Sequence, residues 1–236
     1  MDSEFFRTLF ALIRTLAVGA LPVILAITLH EAAHGYAALR FGDKTAWVAG
    51  RISLNPLRHV DPVGTLLVPA LILAASYFTT GSAMIFGWAK PVPVNFGRLK
   101  NPKRDMLWVA AAGPAVNLAM AVAWTALLKL MTLTAPAGAL ALTFVQMCLD
   151  GIIVNLVLMT LNLLPLPPLD GGRIAVSLLP WRLALPFSRL ERWGFPILLL
   201  LLFVRPGHGA PSILGSILSP IVGGLEQFLF NLFQIT

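Results

Sequence analysis

Charged residues are scarce in this sequence. Only 11% of its 236 residues are Asp, Glu, Lys or Arg, whereas 58% are hydrophobic and the mean hydropathy is +0.84. A water-soluble domain carries about twice that share of charges, so the composition predicts an integral membrane protein. The 17 basic residues outnumber the 10 acidic ones. They lie mostly in connecting segments, where anionic lipid headgroups account for them and nucleic acid is not needed as a partner.

Cysteine is nearly absent as well. Cys148 is the only one in the chain, which excludes an intramolecular disulfide and leaves the redox compartment unspecified. It lies within an apolar stretch, where a packing role is expected. The sequence shows no internal repeat and no low-complexity linker, so a single membrane domain over residues 1–236 is predicted.

Long apolar stretches, in contrast, are abundant. They cover Phe10–Phe41, Val63–Phe78, Met106–Leu130, Ala139–Leu164, Phe195–Val204 and Ile213–Phe233. The first, third and fourth are long enough to be membrane helices, whereas the second is short and the fifth could span only by borrowing the turn from Leu183 onward. We therefore predict an all-α polytopic membrane protein with about four to six membrane helices.

The first apolar stretch ends in a group of polar residues, His30-Glu31-Ala32-Ala33-His34. On an α-helix, residues four apart share a face, so both imidazoles can reach one metal ion, with Glu31 beside it to hold and deprotonate a water molecule. The alternative is a structural helix on which these polar residues have no function. However, placing two His and a Glu inside the hydrocarbon of a membrane costs free energy. The pattern is typical of a zinc metallopeptidase.

A catalytic zinc usually has three protein ligands and a water molecule, so a third ligand is required. Asp170 is a strong candidate because it follows an apolar helix that prolines terminate. Asp170 lies in a turn that contains glycines. A non-helical turn within the membrane is tolerated only where it lines a cavity or is surrounded by protein. An ordinary interfacial loop aspartate is the alternative. His59 and Asp61 compete as ligands, although their polar, turn-rich segment favours a surface loop.

Two stretches between the apolar runs have the pattern of extended chain. They are Thr45–Leu54, interrupted by Gly50, and Gly87–Asn95, which contains Pro91 and Pro93. Each could be a strand of a short membrane-associated β-hairpin, and the alternative is a plain loop. The two prolines remove donors from one edge of the second stretch, so it could pair along its other edge only.

A shared metal ion also constrains how the chain crosses the membrane. If His30, His34 and Asp170 bind one ion, the helices that carry them must end on the same side, which requires an even number of crossings between them. The third and fourth apolar stretches supply two. Val63–Phe78 should therefore be a re-entrant element that returns through Gly87–Asn95.

The distribution of Lys and Arg tests this topology independently. A re-entrant Val63–Phe78 leaves 13 basic residues on one side and 4 on the other, whereas a crossing gives 11 to 6. Because positive charges accumulate on the cytoplasmic side, the re-entrant topology is favoured and the site opens toward the cytoplasm. The metal would lie roughly 15 Å below that face, since His30 is ten residues before Arg40. The basic residues on the opposite side are Arg7, Arg14, Lys129 and Arg205.

Two further motifs accompany the His-Glu-His group. They are Gly113-Pro114-Ala-Val-Asn117 and Asn162, followed by Pro165-Leu-Pro167-Pro168-Leu-Asp170-Gly171-Gly172. Together the three resemble the motifs of the site-2 protease family of intramembrane zinc metalloproteases. The resemblance covers Ile27–Ile174, and residues 55–64 and 87–95 are similar to a short bacterial branch of that family.

This resemblance implies a role for each matching position. The residues implied to bind Zn²⁺ are His30, His34 and Asp170. The implied general base is Glu31. The residues implied to contact the substrate are Gly113, Pro114, Asn117 and Asn162. A catalytic core over residues 10–174 and C-terminal helices over 183–234 are expected, without the PDZ or CBS domains that many members carry.

These assignments predict regulated intramembrane proteolysis at the cytoplasmic membrane. A transmembrane segment of a substrate protein would enter from the lipid bilayer, unwind, and be hydrolysed by zinc-activated water. Because helical peptide bonds are closed to attack, the substrate is expected to bind as an added strand along an extended stretch. The alternatives are a membrane zinc transporter, which should carry ligands along a path across the bilayer, and an inactive protease-like binding protein.

Overall fold

The chain folds almost wholly into helices. The computed structural model describes residues 2–68, 70–72, 87–134, 138–207 and 210–235. The α-helices within them are α1 (Asp2–Arg40), α2 (Thr45–Val48), α3 (Pro102–Thr134), α4 (Ala139–Asn162), α5 (Asp170–Leu178), α6 (Trp181–Ser188), α7 (Glu191–Phe203) and α8 (Ile213–Phe233). A π-helical turn covers Pro62–Leu67. The all-α prediction is confirmed.

Four of these helices are long and apolar enough to cross a membrane: Val18–Arg40 of α1, all of α3, Leu140–Asn162 of α4, and α8. The prediction of a polytopic membrane protein is confirmed. Helix α7 has 13 residues and is therefore about 20 Å long, less than the hydrocarbon thickness of about 30 Å. The predicted stretch Phe195–Val204 thus does not span the membrane by itself.

Glycine and proline set the ends of the helices that carry the site. Helix α1 ends at Arg40, and Gly42 follows with a φ of 107°, a conformation that stops a helix. Helix α3 begins at Pro102. Proline has no backbone N–H, and this costs nothing here because the first N–H groups of a helix have no partner within it. Helix α4 ends at Asn162, just before the prolines that cannot continue it.

The buried apolar core lies among α3, α4 and α8. It includes Ala121, Cys148, Ile152, Leu156 and Val222, all of them 7% exposed or less. The expected packing role of Cys148 is thereby confirmed, since its side chain is fully buried. Close approach of α3 and α4 depends on a small residue, because a Cβ on Gly151 would lie 2.5 Å from the Trp124 ring.

Hydrogen bonds join the π-helical turn to Trp88, near the start of the next described segment. The Trp88 N–H donates to the Gly64 carbonyl at 3.0 Å, and Thr65 Oγ1 donates to the Trp88 carbonyl at 3.0 Å. The groups at residues 64, 65 and 88 therefore lie at one depth, as the re-entrant prediction requires. Residues 73–78 of the predicted stretch Val63–Phe78 lie outside the described residues, so its path stays a prediction.

The predicted β-hairpin is not found in the described part of the chain. Thr45–Val48 forms α2 instead, because Asp43 Oδ1 accepts from the Thr45 N–H at 2.9 Å and starts a helical turn. Gly87–Asn95 is extended, but it bonds to loop carbonyls and side chains rather than to a strand. Both stretches were thus misjudged as paired strands, since short polar turns and strands have similar sequence patterns.

Candidate metal centre

Helix α1 brings the two histidines of the His-Glu-His group onto one buried face. His30 Nε2 and His34 Nε2 are 3.0 Å apart, and the two rings meet edge to face with centroids 4.7 Å apart. This is the arrangement that the four-residue spacing predicts, with both Nε2 atoms directed at one point.

Asp170 is the first residue of α5 and completes the group. Its Oδ2 lies 3.2 Å from His30 Nε2 and 3.3 Å from His34 Nε2. The turn before α5 is compact because Gly171 and Gly172 pack against it. A Cβ on either glycine would lie 2.2 Å from the backbone of that turn, so only glycine fits. The packing of the two glycines against this turn therefore places the Asp170 carboxylate beside the histidines.

The three atoms fit a tetrahedral zinc ion. Ligand atoms 2.0–2.1 Å from such an ion are about 3.3–3.4 Å apart, close to the separations observed here. His34 Nδ1 must carry the proton because it donates to the Val109 carbonyl at 2.8 Å, which leaves a lone pair on Nε2. Asp170 Oδ2 is buried and accepts no hydrogen bond in the described structure. Lone pairs of His34 Nε2 and Asp170 Oδ2 thus converge on one point, as the ligand atoms of a metal ion do.

Helix α3 supports the histidines from behind. His30 Nδ1 donates to Asn117 Oδ1 at 2.5 Å, so its Nε2 also faces the site. A Cβ on Gly113 would lie 2.5 Å from His30 Cε1 and 2.5 Å from His34 Nε2. Gly113 and Asn117 are one helical turn apart on the same face of α3. Gly113 leaves space for the two histidine rings, and Asn117 orients the His30 ring.

The residues predicted to contact substrate are divided by the structure. Gly113, Pro114 and Asn117 are buried behind the histidines, away from the cavity wall, whereas Asn162 lies on that wall. Asn162 Nδ2 donates to the Leu158 carbonyl of its own helix at 3.0 Å. Gly113 and Asn117 thus touch the histidines and Asn162 lines the cavity, a distinction that the sequence pattern does not make.

A cavity of about 530 Å³ opens in front of the three ligand atoms. Its wall is mostly apolar and comes from α1, α3, α4, α5, α7, residues 87–96 and the turn before α5. Trp88 and Phe195 meet edge to face across one side, with ring centroids 5.4 Å apart. The volume is in the usual range for a ligand site, and the apolar lining suits a hydrophobic chain segment.

Glu31 lies on the cavity wall and is already held by the backbone. Its Oε2 accepts from the Val92 N–H at 2.7 Å. Between Pro91 and Pro93, Val92 supplies the only N–H of the three residues, so this donor is directed at one acceptor. This contact was not evident from the sequence.

The competing ligands lie elsewhere. His59 Nε2 donates to the Ser53 carbonyl at 2.8 Å, and Asp61 Oδ1 accepts from the Val63 and Gly64 N–H groups to cap the π-helical turn. Among the residues that the structure describes, His30, His34 and Asp170 are the group of three placed to hold an ion.

Comparison with known proteins agrees with this centre. The model for peptidase family M50 matches residues 131–204. The chain is 40% identical over 215 residues to a protein of Bacillus subtilis (strain 168) named "Putative zinc metalloprotease YwhC", covering 90% of this chain and 89% of that protein. This chain belongs to the site-2 protease family, peptidase family M50. It is accordingly a zinc metallopeptidase with several membrane-spanning helices.

Other relatives in the site-2 protease family are longer. The protein named "Putative zinc metalloprotease Rip2" of Mycolicibacterium smegmatis is 32% identical over 184 residues, or 76% of this chain and 64% of that protein. Rip2 of Mycobacterium tuberculosis (H37Rv) is 32% identical over 152 residues, or 63% of this chain and 52% of that protein. No solved structure matches the chain significantly.

Outside the membrane-spanning part of this family member, Asp43 anchors the far end of the extended segment. Its Oδ2 accepts from the Asn95 N–H at 2.7 Å. Burial alone would raise the pKa of this carboxyl, but hydrogen bonds from the Thr45 side chain and backbone and from Asn95 hold the pKa below its usual value. Together, Glu31 and Asp43 fix residues 92 and 95 against the end of α1.

Proposed function

We propose that this chain is an intramembrane protease that hydrolyses peptide bonds within or near transmembrane segments of other membrane proteins. His30, His34 and Asp170 hold the zinc ion, and Glu31 is the general base. The observation that carries this assignment is the convergence of three buried ligand atoms at 3.0–3.3 Å in front of an apolar cavity.

The carboxylate of Glu31 moves the protons. Zinc, when bound, supplies the polarisation that activates a water molecule for attack on a carbonyl carbon. Glu31 Oε2 is occupied by the Val92 N–H, so the other oxygen, Oε1, takes a proton from the water as its hydroxyl group bonds to the substrate carbon. The same oxygen returns that proton to the amide nitrogen as the C–N bond breaks.

The substrate backbone must be extended to be cut, and residues 87–95 offer an edge to hold it. The N–H groups of Trp88, Lys90 and Val92 are already bonded to Gly64, His59 and Glu31. The edge expected from the sequence to pair is therefore occupied, and the proline edge is left. On that edge, Pro91 and Pro93 have carbonyl groups but no N–H, and the Pro91 carbonyl accepts only a long bond from Arg51, at 3.4 Å. A substrate strand binds by donating its own N–H groups to this edge, while Asn162 contacts it elsewhere on the cavity wall.

The site opens toward the cytoplasm from within the cytoplasmic membrane, and the activity belongs to regulated intramembrane proteolysis. Two crossings, α3 and α4, separate the end of α1 from the start of α5. The excess of Lys and Arg on that side supports this orientation. The partners are a transmembrane protein substrate and the surrounding lipid bilayer.

The experiment compares the purified chain with its E31Q variant in liposomes that contain a single-span membrane substrate. E31Q should lose cleavage by at least about 100-fold while keeping one zinc per chain, since a positioned general base contributes about 10²–10⁴-fold. Cleavage retained by E31Q would overturn the assignment of the base. D170A should lower zinc occupancy, and unchanged occupancy would exclude Asp170 as the third ligand.

A zinc transporter makes a different prediction in the same liposomes. It would move zinc across the bilayer, and the flux would survive the Glu31→Gln substitution. The described ligands instead gather at one depth rather than along a path, which favours the protease. An inactive binding protein would neither cleave the substrate nor carry zinc out of the liposome.

A further inference from the structure

Asn155 is a fully buried amide on α4 that belongs to none of the three sequence motifs. Its Oδ1 accepts from Asn117 Nδ2 at 2.9 Å, and its Nδ2 donates to the Gly151 carbonyl at 2.8 Å. Asn117 in turn accepts from His30 Nδ1. A line of hydrogen bonds therefore runs from the backbone of α4 through two amides to a histidine of the metal centre.

The direction of these bonds is set at the α4 end. The Gly151 carbonyl can only accept, so the NH₂ group of Asn155 must face it and the Asn155 oxygen must face Asn117. That oxygen can only accept, which turns the Asn117 NH₂ toward Asn155 and the Asn117 oxygen toward His30. His30 must then carry its proton on Nδ1, and the lone pair of Nε2 faces the metal site.

We propose that Asn155 is a positioning residue that acts through Asn117 to fix the tautomer of His30. This inference rests on the proposed function, because it assumes that His30 is a zinc ligand. Without the Asn155 oxygen, the fully buried Asn117 NH₂ keeps only the longer bond to the Ala26 carbonyl, at 3.5 Å. The Asn117 amide can then rotate and present NH₂ to His30, which moves the ring proton to Nε2 and blocks the lone pair.

The competing explanation is that Asn155 only fills space between α3 and α4. The two explanations differ in how Asn155 and Asn117 depend on each other. An aspartate at position 117 accepts from His30 with either oxygen, so it needs no partner to orient it. The contribution of Asn155 to zinc binding should therefore disappear in an N117D background, whereas a packing contribution would remain.

The test is a double-mutant cycle on the purified full-length chain in detergent, with zinc affinity measured by competition with a chelator. N155L should weaken zinc binding about tenfold in the wild-type background and less than about twofold in N117D, given the effect typical of outer partners of metal ligands. N155T is the milder second variant. Its hydroxyl can bond to the backbone one turn earlier, as Thr125 does with Ala121 at 2.8 Å. That oxygen is one bond nearer the backbone than Asn155 Oδ1, so the acceptor is withdrawn from Asn117.

T125V is the matched control, because it removes a fully buried polar group from α3 without touching the line of hydrogen bonds. It should leave zinc affinity unchanged. Replacing zinc with Co²⁺ gives a second measurement: the visible absorption of the cobalt form should change in N155L and N155T but not in T125V.

Equal losses of affinity for N155L in both backgrounds, or unchanged affinity and cobalt spectrum in N155T, would overturn the positioning role while leaving the protease assignment intact. Failure of the wild-type chain to bind zinc at all would overturn the proposed function and the inference together. The inference is supported if N155L and N155T bind zinc weakly in the wild-type background and the loss disappears in the N117D background.

Discussion

The Val92 N–H donates to Glu31 Oε2 across 61 residues of sequence, at 2.7 Å. The donor lies in an extended segment between two prolines, and the acceptor lies on the helix that carries both histidines. The segment that forms the cavity wall is therefore fastened to the residue assigned as general base. This one hydrogen bond therefore both orients the Glu31 carboxylate and holds the extended segment in place beside the cavity.

Removing this donor should impair turnover rather than zinc binding. V92P deletes the N–H, and the neighbouring prolines already keep the chain extended, so the backbone can accept the change. A hydrogen bond to a charged group contributes about 1.5–3 kcal/mol, so kcat should fall roughly tenfold or more with zinc content unchanged. V92A keeps the donor and is the control for lost packing. Equal kcat values for V92P and V92A would contradict the contact's role.

Close packing of Gly113 against both histidine rings predicts a loss of metal affinity in G113A. The new Cβ would lie 2.5 Å from His30 Cε1, and the rings would have to move away from Asp170. We expect zinc affinity to fall about 10- to 100-fold. G223A on α8 is the control, since nothing lies within 4 Å of a Cβ there. If the two variants bind zinc equally well, the packing does not position the rings.

Asp43 should make the stability of the fold depend on acid pH. Its pKa is lower in the folded chain than the ordinary value of 3.8, so its ionised form stabilises the fold. That contribution is complete above pH 3.8 and is lost as the pH falls through the lower folded-state value. In detergent, the wild type should unfold at a higher temperature than D43N at pH 6, and the gap should narrow toward pH 3. A constant gap would show that Asp43 acts without titrating.

Scarcity of cysteine makes the membrane orientation testable. Cys148 is buried, so a C148S chain is a clean background for single cysteines. Leu133 near the end of α3 is 70% exposed, and Arg189 is exposed beyond the end of α6. In intact spheroplasts, a membrane-impermeant thiol reagent should label L133C but not R189C, which should react only after permeabilisation. The reverse pattern would place the site on the opposite side.

The three residues that meet at the candidate metal centre were predictable because their signals are local. His30 and His34 are one helical turn apart, and Asp170 follows a proline stop that sequence alone reveals. The crossing pattern stays a prediction, in which the Lys and Arg distribution and the need to bring Asp170 to the histidines agree. The bond between Trp88 and Gly64 is compatible with it.

The partners of those ligands were not predictable, because their contacts join distant parts of the chain. Asn117 and His30 are 87 residues apart, and nothing in either segment shows that they meet. The same holds for Asn155, which the motifs omit. The helix at Thr45–Val48 was missed for a different reason: four residues are too few for a helical period to appear, and the Asp43 side chain decides their conformation.

The hydrogen bonds between Gly64, Thr65 and Trp88 join the π-helical turn to the segment that borders the cavity. Trp88 itself lines the cavity. The width of the cavity therefore depends on a turn that supplies no metal ligand, so changes at Gly64 or Thr65 offer a way to alter which substrates fit while the zinc site keeps its composition.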